Sequence, residues 1–136
     1  MTPSRIQPRS VQGQRLPRWA RLTGQKLIRS IIAQRSRYSD GTLSIYVAPN
    51  PFPYPRLGIS VAKACGKAVV RNRLKRLIRE AFRLDRTRIP AGLDYLVVVN
   101  KKGLANLTLD QVRTSLLRLG ERAAARSTNQ RPGIDR

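Results

Sequence analysis

Histidine is absent from this chain, cysteine occurs once, and only seven of the 136 residues are acidic. Without histidine the chain lacks the usual acid/base of neutral pH. With no Cys/His cluster it holds no zinc-ligand set. The carboxylates Asp40, Glu80, Asp85, Asp94, Asp110, Glu121 and Asp135 are scattered, and no close pair suggests a two-metal site. Cys65 alone forms no intramolecular disulfide, which fits a reducing compartment. Flanked by Ala64 and Gly66, it reads as a small packed residue rather than a reactive thiol. Aromatics are few: Trp19, Phe52, Phe82 and four tyrosines, so any core is mainly aliphatic. No apolar run approaches the ~18 residues of a membrane span. The N-terminal stretch has Arg and Pro but no apolar signal-peptide core. A cytoplasmic location without a membrane partner is the expectation.

What is abundant is positive charge. Twenty-eight Lys and Arg give a formal net charge of +21. Only Lys26, Lys63, Lys67, Lys75, Lys101 and Lys102 are lysines, which leaves 22 arginines. Such a chain repels itself when compact, and a bound polyanion stabilises it. Guanidinium groups favour bidentate contact with phosphate and stacking on bases. Nucleic acid is the partner this points to, with an anionic membrane surface the main competitor.

Residues 1–20, with three prolines and scattered arginines, read as a disordered basic arm, and 123–136 as a frayed tail. One RNA-binding domain occupies 21–122. Leu27, Ile28, Ile31 and Ile32 recur at helical spacing, predicting a helix over 24–34 capped by Thr23. Asp40-Gly41 marks a turn, and alternation predicts strands over 42–48 and 57–62, separated by a loop with Pro49, Pro51, Pro53 and Pro55. The apolar run 94–100 predicts a buried strand. A last helix is expected to start at Thr108 and end near Gly120. The order helix, strand, strand, helix, strand, helix implies a small α/β sandwich with helices against one sheet face. Strands 57–62 and 94–100 are expected to lie parallel.

The clearest helix is 68–86. On a wheel of about 100° per residue, Val70, Leu74, Leu77, Ile78, Ala81 and Leu84 share one arc. Asn72, Lys75, Arg76, Arg79 and Arg83 face the other way, with Arg71 and Arg73 on the flanks. Like charges at i, i+4, such as Arg71 with Lys75 and Lys75 with Arg79, destabilise an isolated helix by a few tenths of a kcal/mol, about 0.2–0.5 per pair. A solvated structural face usually mixes signs, so this one reads as a polyanion-binding face. Gly66, before the helix, with Lys63 and Lys67, leaves helix-start N–H groups open to phosphate, although a glycine there is more often only a turn.

The run Ala68-Val69-Val70-Arg71-Asn72-Arg73-Leu74-Lys75-Arg76-Leu77-Ile78-Arg79-Glu80 resembles the Arg-Asn-Arg signature of the protein subunit of bacterial ribonuclease P. Leu57-Gly58-Ile59-Ser60-Val61-Ala62-Lys63 and the Gly66-Lys67 step resemble the segments before that signature. The likeness extends more weakly from about Leu16 to Arg122. It implies an α/β sandwich with a mixed sheet, whose signature helix sits in a left-handed βαβ crossover, against the usual right-handed rule. It further implies a non-catalytic subunit of a ribonucleoprotein endoribonuclease. One protein would pair with one catalytic RNA and, with Mg²⁺ held mainly by the RNA, help remove the 5′ leader of precursor tRNA. Carried onto this chain, Lys63, Lys67, Arg71, Asn72, Arg73, Lys75, Arg76 and Arg79 would meet the RNA subunit. Ile28, Ile32, Ser44 and Tyr46 would line the leader cleft, and Ile28 and Ile32 stand where the family often has aromatics. Ordinary core packing is the alternative for the two isoleucines. A basic structural ribosomal protein is the alternative for the whole chain, and a protein-only nuclease a third reading without support in the motifs.

Overall fold

Residues 20–22 and 24–134, with side chains as far as 126, are described from a computed structural model. Residues 1–19 of the expected arm and the expected cap Thr23 lie outside the described residues, whereas Ala20, assigned to the arm from sequence, is fully buried in the core. Helix α1 (Gln25–Ala33) turns its aliphatic stripe inward and buries Ile31. Arg35, at φ 58, bends the chain out of the helix. A hairpin follows, β1 (Arg37–Ser39) antiparallel to β2 (Ser44–Pro49). Asp40 makes its turn: Oδ1 accepts the backbone N–H groups of Thr42 and Leu43 at 3.0 and 3.1 Å.

After the proline loop come β3 (Arg56–Val61), a 3-10 turn at Lys63–Cys65, α2 (Ala68–Leu84), β4 (Leu93–Val99) and α3 (Leu109–Ile134). A reciprocal capping box starts α3: Gln111 N donates to Thr108 Oγ1 at 3.2 Å, and Thr108 N donates to Gln111 Oε1 at 2.9 Å. The sheet order is β1-β2-β4-β3, with β3 and β4 parallel and joined through α2, and the other pairs antiparallel. The fold is thus a mixed α/β sandwich. Strand β4 is hydrogen-bonded on both sides and buried on both faces, which is why its sequence is a nearly unbroken apolar run.

Period-two alternation sends β2, β3 and β4 side chains to two unequal faces. One face packs Ile45, Val47, Leu57, Tyr95, Val97 and Val99 against α2 and α3, which contribute Leu74, Ile78, Phe82, Val112, Leu116 and Leu119. The opposite face has a much smaller buried cluster, Leu22, Ile31, Ala48 and Leu96, under α1. This corrects the expectation of helices on one side only: α1 is amphipathic in its own right and covers the second face.

Other corrections have local causes. Strand β1 was not expected, because three residues carry no readable alternation. Helix α3 runs through Gly120, which is buried where a Cβ would lie 3.4 Å from Pro90, and the helix-favouring Ala123–Ala125 run continues it. Ala123, assigned to the tail from sequence, is fully buried. In α2 the buried arc is rotated toward Phe82, leaving Leu84 exposed.

Candidate RNA interface

Helix α2 owes its entry to Gly66, whose φ of 143 lies in the region that favours glycine; a Cβ there would stand 3.3 Å from the Val70 side chain. Lys67 then starts the helix without a side-chain cap, and its carbonyl accepts from the Val70 and Arg71 N–H groups at 2.9 and 3.0 Å. Leu74, Ile78, Ala81 and Phe82 fix one side to the sheet. On the other side Asn72, Arg73, Arg76 and Arg79 are exposed, with Arg71 and Lys75 half-buried on the flanks. Lys63 and Lys67 are exposed just before the helix. The eight residues expected to face RNA therefore lie along one helix and its entry turn.

Two of these arginines also organise the surface. Arg71 Nε donates to the Gly66 carbonyl at 3.1 Å, bracing the entry turn. Arg73 Nη1 donates to the Ala105 carbonyl at 2.9 Å, tying the loop after β4 to the helix. Arg83, which the wheel places on the cationic side, is instead buried and paired with Glu80. The reason is its i, i+3 neighbour, a carboxylate that draws the guanidinium along the helix.

Nearby acids are neutralised in place. Asp85, buried just past α2, accepts from Arg113 Nε and Nη2 at 2.9 Å each and from Arg88 Nη1 at 3.2 Å. The Arg113 hydrogen bonds hold its carboxyl below the usual carboxylate range, against burial, with the Arg88 charge helping. At Asp40 burial pushes the carboxyl up, but hydrogen bonds from Ser115, Thr42 and Leu43 and the Arg118 charge bring it below the ordinary value. Asp94 accepts from Arg56 Nε and Nη2 at 2.8 and 2.7 Å and from Asn50 Nδ2 at 2.7 Å. With Glu80 held by Arg83, four of the seven carboxylates are committed to arginine. Among the described residues no group of three His, Cys, Asp or Glu is placed to hold a metal ion. This donor set does not fit a Mg²⁺ site built by the protein alone.

The expected cleft residues assemble on the opposite sheet face. Ser44 and Tyr46 point the same way as Ala48, next to Val98 and Leu96 of β4. Ile28 and Tyr46 pack against the small cluster while partly open, and Ile32 is 40% exposed. Ser44 Oγ accepts from Arg37 Nη2 at 3.1 Å and donates to Ser39 Oγ at 3.2 Å. Arg37, cross-strand partner of Tyr46, brings a cation to this cleft that sequence reading passed over. Counting the hairpin register back from Asp40-Gly41 would have found it. Where the two surfaces approach one another, at the β3 edge, a cavity of about 210 Å³ is lined by Arg21, Leu22, Leu57, Gly58, Lys75 and Arg79.

Comparison with known proteins places the chain in a family. The Ribonuclease P family model matches residues 16–124. The ribonuclease P protein component of Brevibacillus brevis is 52% identical over 68 residues, covering 50% of this chain and 53% of that protein. That of Petrotoga mobilis is 30% identical over 112 residues, covering 80% of this chain and 95% of the relative. The chain therefore spans about half the length of the first relative and nearly all of the second. In structure it is similar to the RNase P protein from Thermotoga maritima solved with 1-(4-fluorophenyl)-2-thiourea: TM-score 0.67, 32% identity, and coverage of 74% of this chain and 97% of that one.

Proposed function

The chain belongs to the ribonuclease P protein family, and we propose that it serves that tRNA-processing ribonucleoprotein through two RNA surfaces on opposite faces of its sheet. The cationic side of α2, entered through Lys63 and Lys67 and carrying Arg71, Asn72, Arg73, Lys75, Arg76 and Arg79, docks on the catalytic RNA subunit. The α1 cleft, with Ile28, Ile32, Ser44 and Tyr46, receives the single-stranded 5′ leader of precursor tRNA. One protein binds one RNA, and the complex works in the cytoplasm. Among the described residues no helix is long and apolar enough to cross a membrane.

The observation that carries this reading is the pairing of a firmly buried aliphatic side with an exposed row of cations on one helix. Like charges along that row cost helix stability, a cost that a polyanion offsets. The chemistry of phosphodiester cleavage rests with the RNA. Mg²⁺, held mainly by that RNA, supplies the metal-assisted activation, while this protein's cations screen phosphate repulsion and position the substrate. Ile28 and Ile32 offer apolar contact without the ring stacking worth roughly 1–3 kcal/mol per base, so Tyr46 carries more of the leader affinity.

Reconstitution tests this. With a ribonuclease P RNA of a related bacterium, the protein should support cleavage of precursor tRNA at low Mg²⁺, and neither partner alone should do so. Changing Lys67 and Arg76 together to Ala should weaken assembly and flatten its salt dependence by roughly one log unit of slope per phosphate contact. Unchanged assembly at moderate salt would refute the α2 assignment. Recovery of ribosomal subunits, rather than one non-ribosomal RNA, with the purified protein would favour a ribosomal role.

A further inference from the structure

The proline loop before β3 holds a second ordered feature that the core does not explain. Asn50, Phe52 and Tyr54 each precede a proline, which keeps each out of the helical region and leaves the loop few conformations to lose. The Phe52 and Tyr54 rings stack, with centroids 5.3 Å apart and planes 15° from parallel. The Arg56 guanidinium lies 4.8 Å from the Phe52 ring centroid, in cation–π range. Asp94 clamps Arg56 through two hydrogen bonds. Asn50 closes the arrangement: its Nδ2 donates to Asp94 Oδ1 at 2.7 Å, and its Oδ1 accepts from Phe52 N at 2.8 Å. Two of the chain's seven aromatic residues thus stand half-buried on a loop, outside both buried clusters.

We infer that this Tyr54–Phe52–Arg56 stack is a platform for an unpaired nucleobase of RNA. Stacked rings beside a fixed guanidinium match a base's π-face and the phosphate next to it. The loop's own hydrogen bonds pre-order the stack, so little conformational freedom is lost on binding. Asp94 and Arg56 share the sheet face of Ser44, Tyr46 and Ala48, and they occupy the register row of Ala48, next to that of Tyr46. An aromatic contact here makes up for the aliphatic Ile28 and Ile32. The inference rests on the proposed RNA-binding role, and the two are separable by experiment.

The test uses the full chain with Phe52→Leu, Tyr54→Leu and Tyr54→Phe, each checked for fold by circular dichroism. Affinity is measured for the catalytic RNA and, in the holoenzyme, for precursor tRNA with its leader and for leaderless mature tRNA. Each Leu change should weaken one of these by about 5- to 150-fold, the range of one lost base stack, and Tyr54→Phe should retain affinity. Loss confined to the leader-bearing precursor assigns the base to the leader; loss against the catalytic RNA assigns it to that subunit. Leu variants that bind all three like the parent, or a Tyr54→Phe change as damaging as Tyr54→Leu, would overturn the platform. Arg76→Ala, run alongside, should still weaken assembly. Its failure would count against the α2 proposal and leave the platform to be judged on its own variants.

Discussion

The two faces of the sheet are built to different standards. Against α2 and α3 the sheet buries Phe82, Leu74, Ile78, Tyr95 and sixteen other apolar side chains in one continuous cluster. Against α1, among the described residues, only Leu22, Ile31, Ala48 and Leu96 are buried, with Leu27, Ile28, Tyr46 and Val98 left partly open around them. The thick face fixes α2 so that its arginines project as a preformed surface. The thin face leaves the apolar groups of Ile28 and Val98 and the hydroxyls of Ser44 and Tyr46 partly open. The two faces thus differ in how deeply their described side chains are buried.

Substitutions can break or sharpen that contrast. Phe82→Ala, on the thick face, should cost about 3–5 kcal/mol in urea unfolding and leave little folded protein at elevated temperature. Ile31→Ala, on the thin face, should cost about 2 kcal/mol, at the low end for an aliphatic truncation because the buried cluster it joins is small among the described residues. It should weaken leader binding while catalytic-RNA affinity holds. Equal costs for the two would erase the contrast. Tyr46→Leu should lose about 1–3 kcal/mol of affinity for leader-bearing precursor and leave the melting temperature nearly unchanged, whereas Tyr46→Phe should retain the affinity.

Acid should act on the thick face. Asp85 and Asp40 have carboxyls held below their ordinary values, so the stability they lend is present above the unfolded-state carboxylate pKa of about 3.9 and is lost as pH falls through the folded values. Melting temperature should be nearly flat from about pH 5 to 8 and drop below about pH 4. Asp85→Asn should lower the plateau and reduce the acid drop.

The long elements were readable because each has a strong period. Helix α2 displays its aliphatic arc over 17 residues, and β4 announces double-sided burial by its continuous apolar run. What escaped depended on partners distant in sequence. Strand β1 exists because β2 pairs with it, and α1 takes the second face because Ala48 and Leu96 are small or apolar there. Gly120 read as a helix end because glycine usually is one; only Pro90 and Tyr95, packed over it, give the reason for its place inside α3. The exposed cations of α2 were legible because charge repeats at helical spacing. Arg37 beside the cleft, and Arg56 clamped by Asp94, are matters of strand register.

The sharpest test is to ask which RNA each face touches in the assembled enzyme. A photocrosslinker placed through Arg76→Cys on α2, or Ser44→Cys on β2, can be attached selectively because the lone native Cys65 is buried. With leader-bearing precursor bound, position 76 should crosslink to the catalytic RNA and position 44 to the leader. Both positions reacting with the same RNA segment, or the two patterns exchanged, would contradict the assignment of opposite faces to the two RNAs.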